Sequence, residues 1–188
     1  MFKFLVNIYV SLFVKKSERA YVKYRILGFP NRFHVKKKAA AVGKHLDCTG
    51  QYPCTVNKKT TIGDYVTMNG VVVQGSGEVS IGSYIHFGSE TMILSDSHNY
   101  EGEFLPFDDT VTAKKVTIGD FSWIGSRVVI LPGTTIGEGA IIQAGSVVHG
   151  QIPPCSIAGG NPAKVFKMRD IEHFNKLKED KKFYIRGK

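Results

Sequence analysis

A six-residue repeat constrains the fold of this chain more than any other feature. Read from Ile118, the sequence runs in the hexads IGDFSW, IGSRVV, ILPGTT, IGEGAI, IQAGSV and VHGQIP, each of which starts with Ile or Val. The same phase starts upstream at Val56 and again at Ile81. A period of six fits neither an α-helix nor an alternating strand, and is typical of coils with flat faces, one hexad to a face. We therefore predict stacked triangular coils, with the first and fifth residues of each hexad pointing inward.

Two stretches depart from the repeat. Ile62 and Ile81 are nineteen residues apart, one more than three hexads, which predicts a one-residue bulge near residues 74–78. Further on, the stretch SDSHNYEGEFLPFDD does not repeat and predicts a loop over residues 94–115. The predicted domain organisation is a helical, basic N-terminal segment (1–41), the coil stack with its loop (42–163) and a C-terminal helix (164–188).

Charge is divided unevenly along the chain. Residues 1–44 carry eleven Lys and Arg and one acidic residue, residues 45–163 carry five and eleven, and residues 164–188 carry nine and four. A nucleic-acid-binding protein usually places its basic residues on the folded body, with aromatic side chains between them. Because the repetitive body is acidic here, we do not expect a nucleic-acid partner. A membrane surface or anionic small molecules are better partners for the basic ends.

The N-terminal stretch FLVNIYVSLFV (4–14) is too short to be a spanning helix, which needs roughly 20 apolar residues. No small-residue cleavage site follows it, so we do not interpret it as a signal peptide. Two interpretations stay open. It forms either a helix packed on its own protein or on a sister subunit, or an anchor at the membrane surface, because five basic residues follow it directly.

The three cysteines, Cys48, Cys54 and Cys155, lack the spacing of a metal site, and their number is odd. We interpret them as reduced thiols in a cytoplasmic protein, and we predict no bound metal.

The stretch VTIGDFSWIGSRVVILPGTTIGEGAIIQAGSVV, followed by IPPCSIAGGNPAKV, resembles the hexapeptide-repeat acyltransferases, above all the galactoside and maltose O-acetyltransferases. The resemblance covers roughly residues 42–168. It implies an all-β fold, a left-handed parallel β-helix, which is an exception to the usual right-handed crossover. After this stretch, Ile171, Phe174 and Leu177 recur at helical spacing, and we predict a helix that closes the open end of the coil stack.

The resemblance assigns the chemistry to His98. The sequence VSIGSYIHFGSETMILSDSH aligns without a gap with the family coil that ends in the catalytic histidine. A sugar hydroxyl is a poor nucleophile, and a neutral imidazole, whose unperturbed pKa is about 6.5, can remove its proton at neutral pH. Since no cysteine or serine stands in a nucleophile arrangement, we expect direct attack on the thioester rather than an acyl-enzyme.

The same resemblance implies acetyl-CoA as co-substrate and a homotrimer with a cofactor groove between subunits. The residues that match its cofactor-contacting positions are Trp123, Ser126, Ala144, Lys164 and Lys167. By this resemblance, we expect Ser126 to contribute its backbone N–H at the acyl end and the two lysines to lie near the phosphates. The family's TKDIPP reads HGQIPP here, so Gly150 replaces a lysine and phosphate neutralisation depends more on the C-terminal lysines.

On the acceptor side, Asn69 matches an acceptor-contacting position, and Asp96 and Asn99 lie in the loop beside His98. The stretches SHNY, LPFDDT and IAGGNPAKVFKMRDIEHF resemble the O-acetyltransferases of capsule, O-antigen and exopolysaccharide clusters. They imply a sugar of a surface-polysaccharide precursor, modified in the cytoplasm or at the inner face of the membrane. The alternatives are acetylation of a streptogramin-type antibiotic or of an amino-sugar nitrogen, and a β-helix protein without catalytic activity.

Overall fold

The computed structural model describes residues 1–16, 18–49 and 52–185. Its helices are α1 (Phe2–Phe13), α2 (Arg19–Leu27), α3 (Phe29–Lys38) and α4 (Ile171–Glu179). Its strands are β1 (Ala41–Val42), β2 (Asp47–Cys48), β3 (Thr60–Ile62), β4 (Thr67–Asn69), β5 (Val72–Gln74), β6 (Val79–Ile81), β7 (His86–Ser89), β8 (Met92–Leu94), β9 (Asp96–His98), β10 (Val111–Ala113), β11 (Val116–Ile118), β12 (Trp123–Ile124), β13 (Val129–Ile130), β14 (Thr135–Ile136), β15 (Ile141–Ile142), β16 (Val147–Val148), β17 (Gln151–Ile152), β18 (Ser156–Gly160) and β19 (Ala163–Met168).

The strands form three parallel faces. Face one is β1-β3-β6-β11-β14-β17, face two is β2-β4-β7-β12-β15-β18, and face three is β5-β8-β13-β16. The chain visits the faces in this order once per coil, so the stack has three edges. Edge one comprises the turns from face one to face two, edge two those from face two to face three, and edge three those from face three to face one. The predicted β-helix of triangular coils is confirmed.

The core is the column of hexad residues that the sequence predicts. From Ile118 to Val148, every residue at the first hexad position is at most 1% exposed. The fifth positions of these hexads are also buried, including the polar Ser122, Thr134 and Ser146. Each of these hydroxyls donates a hydrogen bond to the carbonyl three residues earlier, at 2.7–2.8 Å. Each buried hydroxyl therefore has a partner within the protein.

The nineteen-residue spacing has a different origin from the single bulge that we predicted. The buried first positions of this coil are Ile62, Met68, Val73 and Ile81. Met68 and Val73 are one residue closer than a hexad, whereas Val73 and Ile81 are two residues further apart. Edge two is therefore shortened and edge three lengthened in this coil, and the net excess of one residue conceals both changes.

Helix α3 closes the N-terminal end of the stack. Val35 is fully buried in the core, and the amide of Asn31 donates to the carbonyls of Thr49 and Tyr52. Helix α1 packs on α2 and leaves most of its apolar side chains exposed. Across the described ranges, none of the helices is both long and apolar enough to span a membrane.

The C-terminal helix does not close the open end of the stack, contrary to our prediction. After β18 the chain reverses into β19, which pairs antiparallel with it, and α4 then runs back along edge one. Phe174 is buried there against Gly139 and Phe121, whereas Ile171 is exposed. A glycine at this turn leaves room for the Phe174 ring on the side of the stack, and that space determines where the helix packs.

Edge one carries a ladder of stacked rings. His45, Tyr65, Tyr84 and Phe121 occupy the same turn position in successive coils, each with φ of 57–58°. Neighbouring ring centroids are 4.6–5.2 Å apart, close to the spacing of paired strands. The next turn has Gly139 at this position, where Phe174 packs, and Phe183 then lies on Tyr84 and Phe121.

Candidate active site

The loop predicted around His98 is an ordered hairpin. After β8 the chain leaves the stack at edge three, and β9 pairs antiparallel with β10, with His98 opposite Val111. His98 is exposed, and its imidazole stacks on the Phe107 ring at 4.0 Å between centroids and 18° between planes. The histidine is thus held away from the core by a structure of its own.

Asp108 organises the tip of this hairpin. Its carboxylate accepts hydrogen bonds from the N–H groups of Glu103 and Thr110 and from the Thr110 hydroxyl, at 2.5–3.2 Å. These bonds, that of the Thr110 hydroxyl foremost, hold the pKa of Asp108 below its usual range, so this carboxylate is ionised at neutral pH. Asp108 therefore shapes the hairpin from within.

Both acceptor-binding candidates of the hairpin also make bonds inside it. Asp96 accepts from the N–H and the hydroxyl of Ser76, at 2.6 and 2.8 Å, which fastens the base of the hairpin to edge three. Asn99 accepts from the N–H of Glu101 at 3.2 Å. Their predicted contact with an acceptor stays a prediction.

A second ladder, made of polar groups, runs along edge two. The Thr49 hydroxyl donates to the side-chain oxygen of Asn69, and the Asn69 amide donates to the Ser89 hydroxyl at 2.6 Å. One coil further, the Ser89 N–H donates to the Ser126 hydroxyl at 3.0 Å. By the same pattern the N–H of Ser126 faces position 144 in the next coil, where alanine has no oxygen to accept. Among the described residues, the N–H of Ser126 has no hydrogen-bond acceptor.

Four of the predicted residues share this edge. Ser126 and Ala144 stand in adjacent turns, Asn69 is at the end of β4, and Lys164 pairs with Gly159 where β18 reaches edge two. Lys167 lies further along β19, opposite Ile157. Trp123 starts β12, between His86 and Ile141 on the outer surface of face two, and is 55% exposed.

His98 is not at this edge. The chain enters face three at edge two, crosses it in β8 and leaves at edge three, so the base of the hairpin and Ser126 stand at opposite borders of that face. At ~3.3 Å per residue, the three residues of β8 span about 10 Å. The fold thus gathers the cofactor-binding candidates and holds the base of the His98 hairpin apart from them.

Two features of the site were not predictable residue by residue. The stacking of Phe107 on His98 joins positions that only the hairpin brings together. The unpaired N–H of Ser126 depends on the register of three coils, although the alanine at position 144 is a signal once that register is known. Within the described ranges, no group of three or more His, Cys, Asp or Glu side chains could hold a metal ion.

Comparison with known proteins shows which proteins this chain is similar to. Residues 115–150 match the family described as bacterial transferase hexapeptide (six repeats). A protein of Escherichia coli strain K12 named as a colanic acid biosynthesis acetyltransferase, WcaF, is 28% identical over 138 residues, 73% of this chain and 74% of its own. The chain thus carries the hexapeptide repeat of bacterial transferases and is similar to a named acetyltransferase over 73% of its length.

Solved structures of two acetyltransferases share the fold of this chain. A hexapeptide-repeat acetyltransferase of Vibrio cholerae, VCA0836, is 26% identical and covers 88% of both chains, with a TM-score of 0.53. A galactoside acetyltransferase in complex with coenzyme A is 24% identical, with a TM-score of 0.62, over 91% of this chain and 81% of its own. The second likeness supports the fold.

Proposed function

We propose that this acyltransferase moves an acetyl group from acetyl-CoA to a hydroxyl of a sugar in a surface-polysaccharide precursor, with His98 as general base. The observation that carries the proposal is the break in the polar ladder at Ala144, which leaves the N–H of Ser126 without a partner in the described part of the chain. An unpaired backbone N–H at a fixed position is the group that a developing oxyanion requires. The named role of the E. coli relative supports the acceptor class.

The proposed reaction is one direct transfer. The imidazole of His98 takes the proton of the acceptor hydroxyl as its oxygen bonds to the thioester carbonyl carbon. The carbonyl oxygen gains negative charge, which the Ser126 N–H stabilises. The tetrahedral intermediate then expels the thiolate, which takes the proton from the imidazolium, so that the ester and free coenzyme A leave a neutral histidine.

Coenzyme A would lie along edge two. Its thioester end would meet Ser126 and Trp123, and its arm would pass Ala144, whose small side chain leaves the edge open. The phosphates would meet Lys164 and Lys167, which stand on β19 at the C-terminal end of the stack. Both lysines would neutralise the phosphates, since Gly150 replaces the lysine that the resembled family has at that position.

The separation of His98 and Ser126 at opposite borders of face three implies that a second copy of the chain completes the site. Because His98 and Ser126 are held at different edges, a complete site would combine the hairpin of one subunit with edge two of its neighbour. Closed threefold symmetry would make three such sites at once. The apolar residues exposed on the hairpin, Phe104 (70%) and Leu105 (95%), are suited to contact that neighbour.

The acceptor would reach the reaction from the hairpin side. Asp96 and Asn99 flank His98 within the hairpin, and Asn69 lies on edge two, two coils from Ser126 in the described structure. These polar side chains are suited to sugar hydroxyls, while the exposed ring of Tyr100 can stack on a sugar face.

The N-terminal helices would hold the enzyme at the inner membrane surface. Phe4, Leu5, Leu12 and Phe13 of α1 are each more than half exposed, and the basic residues after α1 can meet anionic headgroups. In a flotation assay, the full-length protein should bind anionic liposomes weakly and less at high salt, whereas a chain without residues 1–16 should not. Equal behaviour of both proteins would instead favour packing of α1 within the assembly.

The decisive test of the function is release of free thiol from acetyl-CoA in the presence of candidate acceptors. Nucleotide-linked and lipid-linked sugars, amino sugars and a streptogramin are the substrates to compare, with product mass showing the added acetyl group. Transfer to a sugar hydroxyl supports the proposal. Transfer only to the amino sugar or the antibiotic, or no thiol release with any of them, would refute it.

A further inference from the structure

A groove of about 390 Å³ runs beside edge one, outside the cofactor edge. It is lined by the stacked rings of edge one and by the side chains of four paired strands, which are Asp47, Thr67, His86 and Trp123. The remaining lining comes from α2 and from the returning C-terminal segment. Its size falls within the range of roughly 300–1,000 Å³ that is typical of small-molecule sites.

The charged groups of the groove favour an anionic ligand. Among the described lining residues, four are cationic, and Asp47 is the single carboxylate; the cationic residues are Arg25, Arg169, Lys178 and Lys182. Asp47 already lies 3.5 Å from Arg32, so it is neutralised locally. The excess of positive charge is notable because the coil stack itself is acidic.

Two of these cations are held by ion pairs that a ligand could replace. Lys178 lies 2.6 Å from Glu138 and Lys182 lies 3.0 Å from Asp180. All four side chains are 38–65% exposed, and ion pairs at such exposure stabilise a protein little. The bond to Glu138 raises the pKa of Lys178, which is therefore charged at neutral pH. A phosphate could accept from both ammonium groups in place of these carboxylates.

Aromatic rings accompany the charges. Trp123 is 55% exposed and Tyr184 is 82% exposed, so both can stack on a sugar or a nucleobase. Trp123 also stands only three residues before Ser126, whose N–H is the proposed oxyanion donor. A ligand in the groove would thus extend from the cationic C-terminal segment towards the thioester.

We propose that this groove binds the diphosphate of a diphosphate-linked sugar acceptor. This inference rests on the proposed function, since it supplies that reaction with its acceptor. The carrier of the diphosphate can be a nucleoside or a lipid, and both present the same charge to Lys178 and Lys182. Coenzyme A, in contrast, would place its phosphates near Lys164, at edge two.

Fluorescence of Trp123 can test the groove, because it is the only tryptophan in the chain. Inorganic pyrophosphate, uridine diphosphate and farnesyl diphosphate would be titrated into the full-length protein. The variant Lys178→Gln/Lys182→Gln should weaken binding of each bound probe about tenfold or more, because it removes two charged donors. The matched control is Lys115→Gln, since Lys115 also forms an exposed ion pair, with Glu78, at 3.5 Å.

Separate outcomes decide the separate claims. Tighter binding of uridine diphosphate than of pyrophosphate indicates a nucleoside carrier, and tighter binding of farnesyl diphosphate indicates a lipid carrier. The groove assignment is overturned if the double variant and the control bind pyrophosphate equally, if no probe binds, or if saturating coenzyme A displaces the probe. Binding without any thiol release from acetyl-CoA would leave the groove standing and refute the proposed function instead.

Discussion

Edges one and two occupy equivalent turns of the same coils, yet they end in opposite ways. Along edge one the ring ladder stops at Gly139, and the chain fills that space with its own Phe174. Along edge two the polar ladder stops at Ala144, and the N–H of Ser126 is left without an acceptor in the described chain. A small residue interrupts each ladder, but one gap is closed by the C-terminal helix and the other is left open.

The difference teaches what the repeat does and does not specify. Register places one side chain per coil at each edge, about 4.8 Å from its neighbours. Whether that row is structural or chemical then depends on the side chains alone. A gap in a row of stacked rings exposes apolar surface, which another apolar side chain can cover. A gap in a hydrogen-bonded row instead leaves a donor without its acceptor, and that donor can bind a ligand.

Among the substitutions considered, removal of the proposed general base, His98, should have the largest effect on turnover. His98→Ala should lower turnover by roughly 10²-fold or more, because a positioned general base contributes about 10²–10⁴-fold. Binding of acetyl-CoA should be unchanged, because the proposed cofactor contacts are made by residues of edge two and of β19, and not by His98. His149→Ala, at an exposed turn of edge three, is the control. Near-wild-type turnover of His98→Ala with an identified acceptor would show that edge two works without this histidine.

Mixed subunits can test whether the two borders of face three meet across chains. A His98→Ala chain and a Lys164→Gln/Lys167→Gln chain should each be nearly inactive. If sites form between neighbours in a trimer, random mixing at equal amounts should restore function to about a quarter of all sites. Light scattering should give the mass of a trimer. A trimer without any recovery would place His98 and both lysines of one site on the same chain.

A smaller effect is expected from completing the polar ladder. Ala144→Ser adds the missing acceptor opposite the Ser126 N–H, and should lower turnover by about tenfold, less than full loss of an oxyanion donor. Ala144→Gly changes the side chain without adding an oxygen, so it should retain more turnover than Ala144→Ser. Steady-state kinetics should show the loss in kcat. Equal kinetics for both variants would argue against Ser126 as the donor.

The smallest effect on turnover should come from adding a side chain at Gly139 in edge one. Gly139 has φ of 69°, and a Cβ there would lie 2.8 Å from the Phe174 ring. Gly139→Ala should therefore lower the free energy of unfolding by about 2 kcal/mol or more, from backbone strain and displacement of the ring. Thermal denaturation measures this, while turnover per folded molecule should be kept.

The control for this variant is Gly150→Ala. Gly150 has a similar φ of 72°, but nothing lies within 4 Å of the added Cβ. It should therefore show the backbone cost alone. If both variants lose the same stability, the contact of Gly139 with Phe174 contributes nothing, and the closure of edge one would need another explanation.

The sequence predicted the coil stack because a pattern of only six residues recurs along much of the chain. Ile118, Ile124 and Ile130 are buried as the hexads required, and the loop around His98 lies where the repeat stops. The same reasoning misplaced the bulge, because a spacing records only the sum of a shortened edge two and a lengthened edge three. It also misplaced α4, since a helical spacing of Phe174 does not say which gap the ring fills.

By itself, the sequence determined the three-faced coil, the inward residues and the identity of the candidate base, since a period and a motif are readable along the chain. Only the tertiary structure decided which groups stand alone. Among the residues that the structure describes, the N–H of Ser126 is unpaired because Ala144, eighteen positions later, is its neighbour in the next coil. The positions of His98 and Ser126 at opposite borders of face three likewise follow from the closure of the coil. Contacts between coils join residues that are distant in sequence, and hydrogen bonds and gaps exist only once that stacking has formed.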